Sequence, residues 1–144
     1  MIAVATDRGT MAATEKSNVE IVEELYEAFN QGDLETCLAG FADDITWTEP
    51  EGAPMIGGVH HGPDAVLENV FTPLDETFDS FEVDVDRFID GGDTVVMEGS
   101  HRVTTADGDV TEIPAVHVSD MEDGKVKKFT AYEDTALAQQ LMDE

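Results

Sequence analysis

Basic residues are scarce. The 144-residue chain has seven Lys and Arg against 33 Asp and Glu, a net charge of -26. Without basic patches nothing can hold a run of phosphates, which excludes nucleic acid as a partner and anionic membrane surfaces as a docking site. Cysteine is nearly absent: Cys37 stands alone, so no internal disulfide forms, and its apolar helical position reads as a buried thiol. No apolar run approaches the roughly 18 residues of a membrane span. The opening MIAVATDRGTMAATEK has neither a basic n-region nor a long apolar h-region, so a cytoplasmic location is the expectation. Calcium loops and Gly-rich phosphate loops are missing too. The histidines show no metal-binding spacing, and the adjacent His60 and His61 point apart on a loop. Neither a metal nor a cofactor is expected.

What is present suffices for one core. Hydrophobic residues make up 41% of the chain, too many for a disordered polymer, and the length fits a single domain. The acids are spread along the whole chain. Uniform acidity with scarce lysine is the pattern of a protein kept soluble in molar salt, where repulsion is screened to within about 3 Å. A halophilic source and loss of stability in low salt are therefore expected.

Residues 1–16 show no period and read as an extension; residues 17–144 read as one domain. Ser17 and Glu20 form a capping box, followed by Val22, Leu25, Tyr26 and Phe29 at helical spacing. Asp33 can cap a second, short helix. Gly62-Pro63-Asp64 opens a third, which Pro73 breaks or kinks. From residue 81 the period becomes twofold, and four strands follow, separated by turns at residues 90–93, 107–108 and 123–124. Helices segregated from an antiparallel sheet define an α+β fold, with a curved antiparallel sheet wrapped around three N-terminal helices.

One early strand carries the most informative residues. In DDITWTEPEG, Ile45, Trp47 and Glu49 share one side and Thr46 and Thr48 the other. Glu49 thus points the same way as the chain's only tryptophan. As one acid among 33 it would be solvated and inert. At the mouth of an apolar pocket its pKa would rise and it could accept a proton near neutral pH.

The stretches VEELYEAFNQGDLE, FADDITWTEPEG, HHGPDAV and DGKVKKFTAYED resemble the SnoaL-like branch of the nuclear transport factor 2 superfamily, which includes ketosteroid isomerase. They span nearly everything after residue 17. The resemblance implies a conical fold, an apolar pocket for a small molecule between sheet and helices, and a homodimer through the outer face of the sheet. It places Glu49 where the isomerase has its carboxylate base. The positions of the isomerase's two oxyanion donors fall on Leu25, one residue before Tyr26, and on Val116, one before His117, so that pair does not carry over.

A two-residue turn at Asp107-Gly108 pairs His101 with Pro114. Together with the Asp123-Gly124 turn it places Met97, His101, Pro114, Val116, Val118 and Phe129 on the pocket face. Glu98, Ala115 and His117 fall on the outer face, with Glu98 and His117 as an ion pair. Tyr26 and Tyr132 read as packing residues with surface hydroxyls. The candidate site is then Glu49 and His101 as proton-transfer groups, with Trp47, Leu25, Met97, Val116, Val118, Phe129 and the rim residue His61 around a small apolar molecule. His101 also has a bland reading, a core histidine with both nitrogens satisfied. Two functions stand: a cofactor-independent enzyme moving a proton on an apolar carbonyl compound (isomerase, cyclase or hydratase type), or a ligand-binding or dimerisation module of the same fold.

Overall fold

The computed structural model describes residues 16–143, so the expected extension lies almost wholly outside the described residues. Helix α1 (Asn18–Asn30) starts at the capping box: the Ser17 hydroxyl accepts from the Glu20 amide, and Glu20 accepts from the Ser17 amide at 2.9 Å. Asp33 caps α2 (Leu34–Ala39) through the Thr36 amide. Gly40 closes α2 against α1; a Cβ there would meet Leu25 Cδ2 at 2.4 Å, so a side chain at this position would require Leu25 to repack.

The strands are β1 (Phe41–Glu49), β2 (Gly58–His61), β3 (Ser80–Asp90), β4 (Thr94–Thr104), β5 (Val110–Glu122) and β6 (Lys125–Glu133), followed by a closing helix α5 (Thr135–Asp143). They form one curved, unclosed sheet in the order β2-β1-β6-β5-β4-β3. The pairs are antiparallel except β1 with β6, which run parallel. Apolar side chains of α1, α2 and the 63–77 helix pack into the concave face, around Val22, Ile45, Trp47, Phe71 and Phe129. No described helix is long and apolar enough to cross a membrane.

Pro73 does not break the third helix. Helix α3 (Pro63–Val66) passes through a π-helical turn (Leu67–Phe71) into α4 (Thr72–Thr77), and the Thr72 amide reaches back to the Leu67 carbonyl. The wider turn accommodates a ring that has no N–H to give and would clash with the preceding turn of a regular helix. Val70, Phe71 and Leu74 are thereby buried.

Two register details decide which side chains face inward, and the second overturns the face assignment expected for β5. The first is a bulge in β3 between Val85 and Arg87: the extra residue brings Phe88 to the core and leaves Ile89 outside, 41% exposed. The second decides the site. Residues 105–109 form a five-residue loop, in which the Gly108 amide donates to Thr105 O and the Thr105 amide to Asp109 O. Gly108 has φ +91°, the left-handed residue that follows the tight turn. His101 consequently pairs with Ile113 and Met97 with His117. That one-residue slip inverts β5. Ile113, Ala115, His117 and Ser119 point inward; Pro114 is exposed, and Val116 and Val118 lie on the outer face, half-buried. Pro114 is tolerated because its carbonyl and its missing N–H face the side where β6 has ended, and only Asp134 N reaches it.

Candidate functional site

The concave side of the sheet and the helices enclose a cavity of ≈ 640 Å³ when the space at its open mouth is counted. Its wall is almost entirely apolar, from α1 (Val22, Leu25, Phe29), the π turn (Val70, Phe71) and β6 (Phe129). The polar side chains in it are Tyr26, Glu49, His101, His117 and Ser119.

Strand β1 delivers Trp47 and Glu49 by simple alternation. The indole stacks on Phe129 across the parallel β1–β6 pair, with ring centroids 3.7 Å apart and planes at 17°, and Phe71 meets it edge-on. Its Nε1–H donates to Glu49 Oε2 at 2.8 Å. Glu49 is the last residue of β1 and is 5% exposed. Burial pushes its pKa up to about 8; the indole N–H holds the rise back, and the nearby Glu133 charge adds to it. At neutral pH this carboxyl is therefore largely protonated.

Four polar side chains form a single file, three of them in the cavity wall and the fourth, Glu133, behind it. The Tyr26 hydroxyl lies 2.7 Å from His117 Nδ1, His117 Nε2 lies 2.8 Å from His101 Nε2, and His101 Nδ1 lies 3.0 Å from Glu133 Oε1. The file crosses α1, β5, β4 and β6. His101 and Glu133 side chains are 6% and 7% exposed. Burial, with the neighbouring His101 charge, drives His117 well below the ordinary histidine pKa, and burial raises the Tyr26 hydroxyl far above the usual phenol. The buried Cys37 thiol is pushed up to about 12 by burial, so it is an inert part of the wall.

Of the residues expected from the sequence, Glu49, His101, Trp47, Leu25 and Phe129 line the cavity. Met97 is on the same face, 1% exposed, but packed away from the cavity. Val116 and Val118 point away because of the β4–β5 register, and His61 is exposed on the edge strand β2. The expected Glu98–His117 ion pair does not exist: Glu98 pairs with Arg87 at 2.7 Å on the outer face, while His117 is buried. Tyr26 is not a surface hydroxyl, since it closes the hydrogen-bonded file. Its place in the inward stripe with Val22 and Phe29 was the available signal. Ser119 was reachable only through the correct register, and Glu133 looks in sequence like any surface acid.

A cone of sheet and helices around one apolar cavity, with a carboxyl at the end of the first strand, defines a protein of the nuclear transport factor 2-like fold. The chain belongs to the SnoaL-like domain family, whose model matches residues 22–129. Among solved structures it is similar to a nuclear transport factor 2-like protein from Burkholderia pseudomallei, at 33% identity over 90% of this chain and 100% of that one, with a TM-score of 0.83. A second such protein, from Burkholderia thailandensis, is 32% identical over 89% of this chain and 98% of that one, TM-score 0.83. TerC, crystallised with polyporic acid, is 28% identical over 88% of this chain and 98% of that one, TM-score 0.81. No curated protein matches the chain.

Proposed function

We propose that the protein is a cofactor-independent enzyme that moves a proton on a small, largely apolar carbonyl compound, with Glu49 as the proton-transfer carboxyl. The observation that carries this reading is Glu49 itself, buried at the cavity wall with an indole N–H to orient it and a pKa raised to about 8. A carboxyl tuned toward the working pH is at its most useful as a general acid or base. The ligand rests between the Trp47–Phe129 wall and α1, with a hydrogen beside its carbonyl facing Glu49. The ligand of TerC, polyporic acid, supports a small organic molecule as the occupant. His101 has both ring nitrogens engaged, so it assists through its neighbours and not by touching the ligand.

The test is a thermal-shift screen of small ketones and enols in molar KCl, followed by NMR measurement of α-hydrogen exchange into D2O for each hit. Glu49→Gln is expected to keep binding within a few-fold and to slow enzyme-dependent exchange about 10²–10⁴-fold. Hits that bind and exchange equally fast on the variant would make the cavity a binding module instead. We also propose that the homodimer uses the outer face of the sheet, where Tyr132 is 58% exposed; a monomer in sedimentation equilibrium at molar salt refutes that.

A further inference from the structure

The file of Tyr26, His117, His101 and Glu133 has a property that follows from donor counting. The Glu133 carboxylate only accepts, so His101 Nδ1 must carry a hydrogen. Between the two Nε2 atoms, 2.8 Å apart, one donates and one accepts. With both rings neutral, His101 Nε2 has no hydrogen, so His117 donates from Nε2. His117 Nδ1 then accepts from the Tyr26 hydroxyl. The Tyr26 hydrogen is used inside the file, and its oxygen offers the cavity lone pairs only.

Add one proton and the order reverses. The proton sits on His101 Nε2, where the ring becomes an imidazolium against Glu133. His101 Nε2–H now donates to His117 Nε2. His117 stays neutral, in keeping with its deep burial, but holds its hydrogen on Nδ1 and donates to the Tyr26 oxygen. The Tyr26 O–H is free to turn to the cavity, where no other described side chain bonds it.

We propose that these four residues form a proton relay that sets the polarity of the cavity: one added proton reverses the two hydrogen bonds that link His101, His117 and Tyr26, leaves His101 Nδ1 donating to Glu133, and turns Tyr26 from an acceptor into a donor. The neutral file suits a ligand hydroxyl, such as an enol or phenol; the protonated file suits a carbonyl or oxyanion. The inference rests on the proposed reaction for its use, since the relay supplies what Glu49 lacks, a proton at the opposite oxygen. When Glu49 removes a C–H proton, the electron pair moves to the carbonyl oxygen. That oxygen takes the Tyr26 hydrogen, Tyr26 takes the one on His117 Nδ1, and His117 takes the one on His101 Nε2. The relay has lost one proton, Glu49 has gained one, and the product is the enol. His101, His117 and Glu133 are positioning residues in this scheme. The other titratable groups packed around the file are Glu49 on β1 and the inert Cys37 on α2; β3 and the 63–77 helix present Phe81, Phe71 and Leu74.

The test is ¹⁵N NMR of histidine-labelled protein in molar KCl across a pH series, which reads tautomer and charge separately for each of the four histidines. As His101 becomes cationic, His117 is expected to pass in the same step from the Nε2–H to the Nδ1–H tautomer without taking charge. Glu133→Gln is expected to move that step to lower pH by about one unit or more, because the imidazolium loses its counter-charge. A His117 that keeps one tautomer throughout, or that itself becomes the cation, overturns the relay, as does an unmoved step in Glu133→Gln. The step is expected to persist in Glu49→Gln, so a relay that switches beside a Glu49→Gln variant of full activity refutes the proposed reaction and leaves the relay standing.

Discussion

Glu49 and Glu98 are the same side chain in two solvents. Glu98 stands on the outer face of β4, its side chain 43% exposed against Arg87, whose hydrogen bond and charge hold its pKa below the ordinary glutamate value. Glu49 stands at the end of β1, inside, and its pKa is driven the other way, to about 8. The difference is one of strand parity and not of local sequence. In a chain so rich in acid, charge alone marks nothing; removal from water and an aimed donor set Glu49 and Glu133 apart from the acids at the surface.

The largest effect that can break this contrast is the pH dependence of stability. A carboxyl whose folded pKa lies above its unfolded 4.5 binds more protons folded than unfolded. It therefore costs stability progressively as pH rises from about 4.5 to 8, by up to about 5 kcal/mol. Glu49→Gln should raise the melting temperature at pH 9 and leave it near the wild-type value at pH 4.5; equal effects at both values mean that Glu49 is not held away from water. Next in size is Trp47→Phe, which removes the N–H on Glu49 Oε2. Denaturant titration should show a loss of about 1–3 kcal/mol, and the Glu49 step should move to higher pH. Salt should act on the surface acids and spare Glu49. With a net charge of -26, the melting temperature should climb by about 5 °C or more between low salt and molar KCl, while the pH 9 gain of Glu49→Gln persists in molar salt. The smallest effect belongs to Glu98→Gln, which should leave the molar-salt melting temperature unchanged within error.

Much of the fold was readable from local chemistry. The capping box, the Asp33 cap and the alternation through Ile45, Trp47 and Glu49 each depend on neighbours a few residues away, and each is where the spacing puts it. What was not readable depended on counting across a turn. Asp107-Gly108 looks like a two-residue hairpin turn, yet Gly108 takes the left-handed position of a longer loop. Strand β5 could not correct the error, because apolar residues occupy both its faces: Ile113 and Ala115 on one, Val116 and Val118 on the other. His117 and Ser119 were lost to that single residue, and with them the partner that brings Tyr26 and His101 into one file. Glu133 was hidden for another reason, since only tertiary placement separates it from the acids around it.

The stacking of Trp47 on Phe129 gives the molecule an internal optical reporter. It is the chain's sole fluorophore of its kind, held at 3.7 Å from one ring and hydrogen-bonded through its indole nitrogen to the carboxyl that titrates. Its emission therefore reads the ionisation of Glu49 and the arrival of a ligand without any label, and the unmodified protein can be titrated in salt with light alone.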